Sequence, residues 1–326
     1  MTHYWFVQKT PHYRAKLALF AFLLAFIVII LGAYTRLTDA GLSCPDWPVC
    51  YGYLTAPHTP AQIESATQAY PLAPINTKKA WTEMTHRYFA GTEGILILLL
   101  AFSILFPKKE KLKIAGTLLV TLLFIQITLG MLTVTQQLKP VIVLAHLLTG
   151  VSILSVLWWT YVHLRFRMDP FIKKANAHLA PWFLLALAII CIQIILGGWV
   201  STHYAGLACI DFPYCNGQIL PSLEWSHLNS DLITIHMLHR IGAFVTVIYL
   251  SVLAICLLKN PTFKPFGLLI LALISLQITL GIFNIIWLRP VWVALLHQAV
   301  AILLLLTLMT SLMKVTTEHR HDFYLV

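Results

Sequence analysis

Four histidines and one glutamate carry the chemistry that can be read from this chain. In Glu83-Met-Thr-His86-Arg87 a carboxylate stands three residues before an imidazole. On a helix that spacing puts both side chains on nearly the same face, about one turn apart. A second His-Arg pair, His239-Arg240, heads another apolar run, and His146 and His297 lie near the starts of two more. Imidazole serves as a metal ligand or as an acid and base, and a carboxylate beside it is suited to moving protons. A lone histidine in an apolar helix is ordinarily a polar group bonded to a neighbouring helix, so the weight rests on what the four have in common.

The elements that must position them are membrane helices. Of 326 residues 59% are apolar and 10% charged, a balance no soluble domain of this length shows. A helix needs about 20 apolar residues to cross a bilayer. Runs of that kind fall near Leu17 to Leu37, Tyr88 to Phe106, Ile114 to Val134, Val141 to Leu164, Ala180 to Val200, Ile241 to Leu258, Phe266 to Ile286 and Val291 to Met313. Lys and Arg gather in alternate connections: Lys9, Arg14 and Lys16; Lys108, Lys109, Lys111 and Lys113; Arg165, Arg167, Lys173 and Lys174; Lys259 and Lys264; Lys314 and Arg320. The positive-inside rule puts these connections and both termini in the cytoplasm. The formal charge of +10 is therefore a topology signal, and with no basic domain outside the membrane a nucleic-acid partner is not expected. The basic first 16 residues read as neither a cleavable signal nor a transit peptide. A bacterial plasma membrane is the expected address.

The chain repeats itself. At an offset of 165, Leu31 to Gly52 matches Leu196 to Gly217 at ten of 22 positions, among them Cys44 with Cys209, Asp46 with Asp211, Pro48 with Pro213 and Cys50 with Cys215. Further on, His86-Arg87 matches His239-Arg240, Gln126-Ile-Thr-Leu-Gly matches Gln277-Ile-Thr-Leu-Gly, and His146 matches His297. The expected fold is thus an all-α polytopic membrane protein with eight transmembrane helices in two parallel-repeat four-helix bundles, residues 1–170 and 171–326. In an up-down bundle the second and fourth helices lie diagonally across the core. His86 and His146, and likewise His239 and His297, then face each other at similar depth near the outer surface.

Two imidazoles from diagonal helices can grip one planar metal macrocycle, and bis-histidine haem ligation is the reading preferred over four structural histidines. Arg87 and Arg240 are candidate partners for haem propionates, with snorkelling to headgroups as the alternative. Glu83 has His236 at its place in the second half, which makes the first half the natural seat of a reaction and the second a store of electrons. Alternatively, Glu83 is a helix N-terminal carboxylate favoured by the dipole. Glu93, two turns beyond His86 on the same face, is an acid inside the bilayer, for which a proton path and a polar pair with Gln126 are both open. Cys44 with Cys50 and Cys209 with Cys215 are expected as disulfides on the oxidising side. The second pair reads as structural, while the first has a redox role as an alternative. Cys191 and Cys256 read as small apolar helix residues.

Taken together, the outer loop Thr35-Arg-Leu-Thr-Asp-Ala-Gly-Leu-Ser-Cys-Pro-Asp-Trp-Pro-Val-Cys, Glu83-Met-Thr-His-Arg, His146, the second cysteine loop, His239-Arg240 and His297 resemble the haem A synthase family over essentially the whole chain. The resemblance implies oxidation of the C8 methyl of haem O to the formyl of haem A by successive oxygenations, for cytochrome oxidase biogenesis. It implies substrate haem O between His86 and His146, Glu83 as the essential acid, haem b as cofactor between His239 and His297, and an activity-linked Cys44–Cys50 pair. The partners then expected are an electron donor, either quinol or a redox protein, together with membrane lipid, haem O synthase and a second copy of the chain. Glu93 and His236 match no family landmark. The rival reading is a two-haem membrane cytochrome that passes electrons without altering haem. A haem carrier is disfavoured by four ligands on one side, and a di-iron site by the missing second Glu-x-x-His.

Overall fold

The computed structural model of the protein describes residues 12–106, 112–166, 168–169, 176–316 and 318–319. Lys9, Lys108, Lys109, Lys111, Arg167, Lys173, Lys174 and Arg320, and the expected boundary at 170/171, lie outside the described residues. Among the described residues there are nine α-helices: α1 (His12–Leu37), α2 (Pro60–Ala69), α3 (Thr77–Leu105), α4 (Lys113–Thr135), α5 (Pro140–Phe166), α6 (Ala180–Thr202), α7 (Leu232–Leu258), α8 (Lys264–Ile286) and α9 (Val291–Thr316). All but α2 are long and apolar enough to cross a membrane, giving eight spans. A two-residue antiparallel pairing of Met168–Asp169 with Glu318–His319 follows the ends of α5 and α9; these are the only strands among the described residues.

Two helices begin well before their apolar runs. α3 starts at Thr77 and α7 at Leu232, not at Tyr88 and Ile241. Each start is capped in the way a helix N-terminus requires: the Asn76 side chain accepts the Lys79 N–H at 3.1 Å, and Asp231 accepts the Thr234 N–H at 2.8 Å. Hydropathy finds the part of a helix that faces lipid. The first turns of α3 and α7 instead face the disulfide-bearing loops, burying Ala80, Glu83 and Met84 in α3 and Thr234, Ile235, His236 and Met237 in α7. Glu83 and His86 accordingly sit inside a helix rather than at its first turn, which weakens the dipole reading of Glu83, since that effect fades beyond the terminal turn.

The spans form two rings. In one, α1 packs on α3 and α5, and α4 packs on α3 and α5; in the other, α6 packs on α7 and α9, and α8 packs on α7 and α9. α3 and α5 are thus at opposite corners, as are α7 and α9. Side chains of Ala18, Ala21, Leu100, Ile104, Leu119, Leu154 and Leu157 fill the first ring, and Phe183, Ala186, Leu250, Ala254, Phe263, Ile270 and Leu308 the second. α5 meets α6 and α9, and α1 meets α9, where the rings join. Gly198 of α6 sits against Leu144 and Leu147 of α5, and the Trp158 indole N–H donates to Thr310 Oγ1 at 2.8 Å. Close backbone approach and a cross-helix hydrogen bond are how membrane helices associate when lipid is as apolar as leucine. Hydroxyls inside the spans turn back on their own helix: Thr149, Ser155 and Thr160 each donate to the carbonyl four residues earlier, which satisfies these donors without water.

Candidate functional site

The loops that follow α1 and α6 are closed covalently. Cys44 bonds Cys50 and Cys209 bonds Cys215, with Cα atoms 4.7 and 4.6 Å apart, and all four cysteines are buried. Inside each ring one aspartate accepts two consecutive backbone N–H groups. Asp46 takes those of Tyr51 and Gly52, both at 2.6 Å, and Asp211 those of Asn216 and Gly217 at 2.6 and 2.8 Å. The Gly217 N–H foremost holds the Asp211 carboxyl below its usual range. The turn needs a left-handed pair, with Tyr51 and Gly52 at φ 53° and 78° and Asn216 and Gly217 at 53° and 81°. Asn and Gly tolerate this conformation, whereas tyrosine rarely adopts it. Tyr51 is held there by burial, with its hydroxyl 3.4 Å from the carbonyls of Ala73 and Pro74. Burial, and then the carboxylates of Glu83 and Asp46, push its phenol above the ordinary value of 10.0.

The histidine helices fasten onto these loops. Arg87 donates Nη1 to the carbonyls of Asp46 at 3.0 Å and Val49 at 2.6 Å, and Nη2 to Glu83 Oε1 at 2.6 Å. Arg240 donates to the carbonyls of Tyr214 at 2.8 Å and of Cys209 and Asp211 at 3.1 Å. Both guanidinium groups therefore grip loop backbone. Glu83, 4% exposed, accepts the Cys44 N–H on its other oxygen at 2.9 Å. His236 occupies the corresponding place, its Nδ1 lying 3.3 Å from the Cys209 nitrogen. One frame thus presents a carboxylate in one half and an imidazole in the other.

Below the loops each of the four histidines lies against a glycine of a neighbouring helix. A β-carbon added at Gly32, Gly130, Gly197 or Gly281 would come within 3.0, 3.2, 3.1 or 3.2 Å of Cε1 of His86, His146, His239 or His297 respectively. Amides approach three of the rings: Gln126 reaches His146 Nε2 at 3.5 Å, Gln277 reaches His297 Nε2 at 3.2 Å, and Gln193 reaches His239 Nδ1 at 3.0 Å. The His239 and His297 ring centres are 6.5 Å apart. A metal bound by imidazole at about 2 Å on each side sets ring centres roughly 6 Å apart, so the second pair fits one shared ion. Nδ1 of His86, His146 and His297 is buried with no hydrogen-bond partner, the unpaired state that a ligand would relieve. Among the described residues no three His, Cys, Asp or Glu side chains gather. An ion held by either pair must therefore bring its remaining ligands with it, as a macrocycle does.

The sequence reading singled out the imidazoles but not their supports. The signal was present: in Gln126-Ile-Thr-Leu-Gly130 and Gln277-Ile-Thr-Leu-Gly281 an amide and a glycine recur four residues apart, on one helix face, and both meet the same ring. Glu93 is 5% exposed, and neither oxygen has a partner; of the two readings left open, the pair with Gln126 does not form. Cys191 and Cys256 are unpaired and exposed on their helices.

Residues 15–309 match the family model described as cytochrome oxidase assembly protein. The chain is 41% identical to the heme A synthase of Shewanella oneidensis over 305 residues, covering 87% of this chain and 91% of that one. It is 28% identical to the heme A synthase of Erythrobacter litoralis, covering 87% and 91%, and 26% identical to that of Wolbachia pipientis, covering 92% and 91%.

Proposed function

Because the chain belongs to the cytochrome oxidase assembly family of the haem A synthases and so serves haem A synthesis, we propose that it works as an oxidoreductase with two unlike pockets. His86 and His146 hold the substrate haem O, whose C8 methyl is oxidised to the formyl group, and His239 and His297 hold a haem b cofactor. The two rings of helices are parallel repeats, residues 1–170 and 171–326, with both termini in the cytoplasm of a bacterial cell and both pockets toward the outer face. The observation that carries this reading is the fourfold recurrence of an imidazole seated on a glycine, in pairs set across the bundle, one pair 6.5 Å apart.

Haem b, when bound, supplies electrons to the oxygenation. The side chains do the rest. His239 and His297 would hold the cofactor in the second bundle, and His86 and His146 would hold the substrate in the first. Glu83 is anchored by Arg87 and the Cys44 N–H, which sets one carboxylate at the rim of the substrate pocket. There it passes protons or stabilises positive charge as the methyl is oxidised. The Cys44–Cys50 ring fixes the nitrogen that Glu83 accepts from, which gives that disulfide a positioning role without any redox step. Arg240 Nε, buried without a partner, is the donor left for a propionate. Quinol or a redox protein feeds the second pocket, and haem O synthase or a second copy of the chain are candidate neighbours in the membrane.

The rival, an electron-carrying cytochrome, would need Glu83 only as a fastener for the loop, which the matching contact of His236 with Cys209 shows to be a task that needs no acid. Glu83→Gln separates the two, because an amide oxygen still accepts the Cys44 N–H but cannot carry a proton. The expected result is retained haem spectra with accumulation of haem O and loss of haem A. Unchanged haem A would favour the rival.

A further inference from the structure

We infer that Gln193 is a positioning residue that locks the second pocket, and that its absence from the first leaves His86 as the ligand able to swing aside for haem to enter and leave. The inference rests on the haem reading above. Gln193 of α6 sets its amide nitrogen 3.0 Å from His239 Nδ1 and 3.0 Å from the carbonyl oxygen of the same residue, so ring and backbone are tied together. When Nε2 is the ligating atom, Nδ1 carries the proton and the amide, turned over, accepts it with the oxygen that is otherwise unpaired, giving up the contact to the carbonyl. At the offset of 165 that aligns the two loops, the residue matching Gln193 is Val28, which has no side-chain donor or acceptor. His86 meets the backbone of Val28 there instead.

The contrast is local to this one position. His146 and His297 each meet an amide, and all four rings meet a glycine. His86 alone among the four has a glycine and no amide. Partners on the far nitrogen of a ligating histidine orient the ring and strengthen it as a ligand, and among the four His86 is the one that no side-chain amide reaches. A pocket that must admit a substrate and release a product needs one ligand free to turn, while a pocket that keeps its cofactor needs none.

The test uses the full chain with His86→Ala and His146→Ala, so that haem is confined to the second pocket. Carbon monoxide binding to the reduced haem and haem loss to apomyoglobin are then followed with and without Gln193→Met, which keeps the length of the side chain and removes the amide. The expected result is a parent inert to carbon monoxide and a variant that binds it and loses haem about 10- to 100-fold faster. In the reciprocal arm, Val28→Gln in a His239→Ala, His297→Ala chain should slow haem loss from the first pocket by a similar factor, and this arm stands even if Gln193→Met folds poorly. Equal rates with and without each amide, in chains that hold haem, would overturn the inference alone. A parent with no haem in the second pocket would overturn the haem reading and the inference with it.

Discussion

Glu83 meets two demands that usually conflict, since it is buried and yet fully engaged by hydrogen bonds. Its carboxylate lies between the Arg87 guanidinium at 2.6 Å and the Cys44 N–H at 2.9 Å. Removing the cation would strand a buried charge, a loss on the order of 3–5 kcal/mol. Arg87→Gln is therefore expected to lower thermal stability markedly, whereas Arg87→Lys keeps the charge, loses the fork that reaches Asp46 and Val49, and costs about 1–2 kcal/mol. A thermal melt of both variants checks the order; equal melting temperatures would show that the loop does not depend on this clamp. That Glu83 and His86 share one helix was legible in the sequence because the spacing is local. The partners of Arg87 were not, because they lie some forty positions away and are set by how the loop folds back over α3.

The helices explain why an imidazole can stand where it does. Gly281 and Gly130 leave room for Cε1 of His297 and His146, and a methyl group at either would press on the ring from 3.2 Å. Gly281→Ala is expected to tilt His297, cost about 1–3 kcal/mol by overpacking and weaken the low-spin haem signal of the second pocket. Gly91→Ala, on α3 with open space beside its Cα, should leave that signal unchanged. An electron paramagnetic resonance spectrum of each variant decides, and identical spectra would remove the glycines from the account. All eight spans were legible from hydropathy. The starts of α3 and α7 were not, because the turns carrying Glu83 and His236 bury their side chains against loops and so look polar, and only the caps at Asn76 and Asp231 betray them.

At the scale of the molecule, the joint between the rings is made by α1, α5, α6 and α9, so His146 and His297 ride on helices that also join the halves. Electrons passing between pockets would cross that joint. Its orientation in the membrane rests on the charge pattern, and a membrane-impermeant maleimide tests it. Leu72→Cys, at a site 97% exposed on the outer loop, should label in intact cells, while Lys259→Cys should label only once the cytoplasmic face is opened. The reverse order would invert the topology. The repeat could be read from the cysteine phrase and the His-Arg pairs, but the unlike residues at matching places, Glu83 with His236 and Val28 with Gln193, acquire meaning only when the rings beside them are seen. The most direct test of two histidine pockets is the optical spectrum of the purified chain after each ligand is replaced singly by alanine. His239→Ala or His297→Ala should abolish a low-spin haem b signal that survives His86→Ala and His146→Ala; a signal lost alike in all four, or kept in all four, would contradict the account.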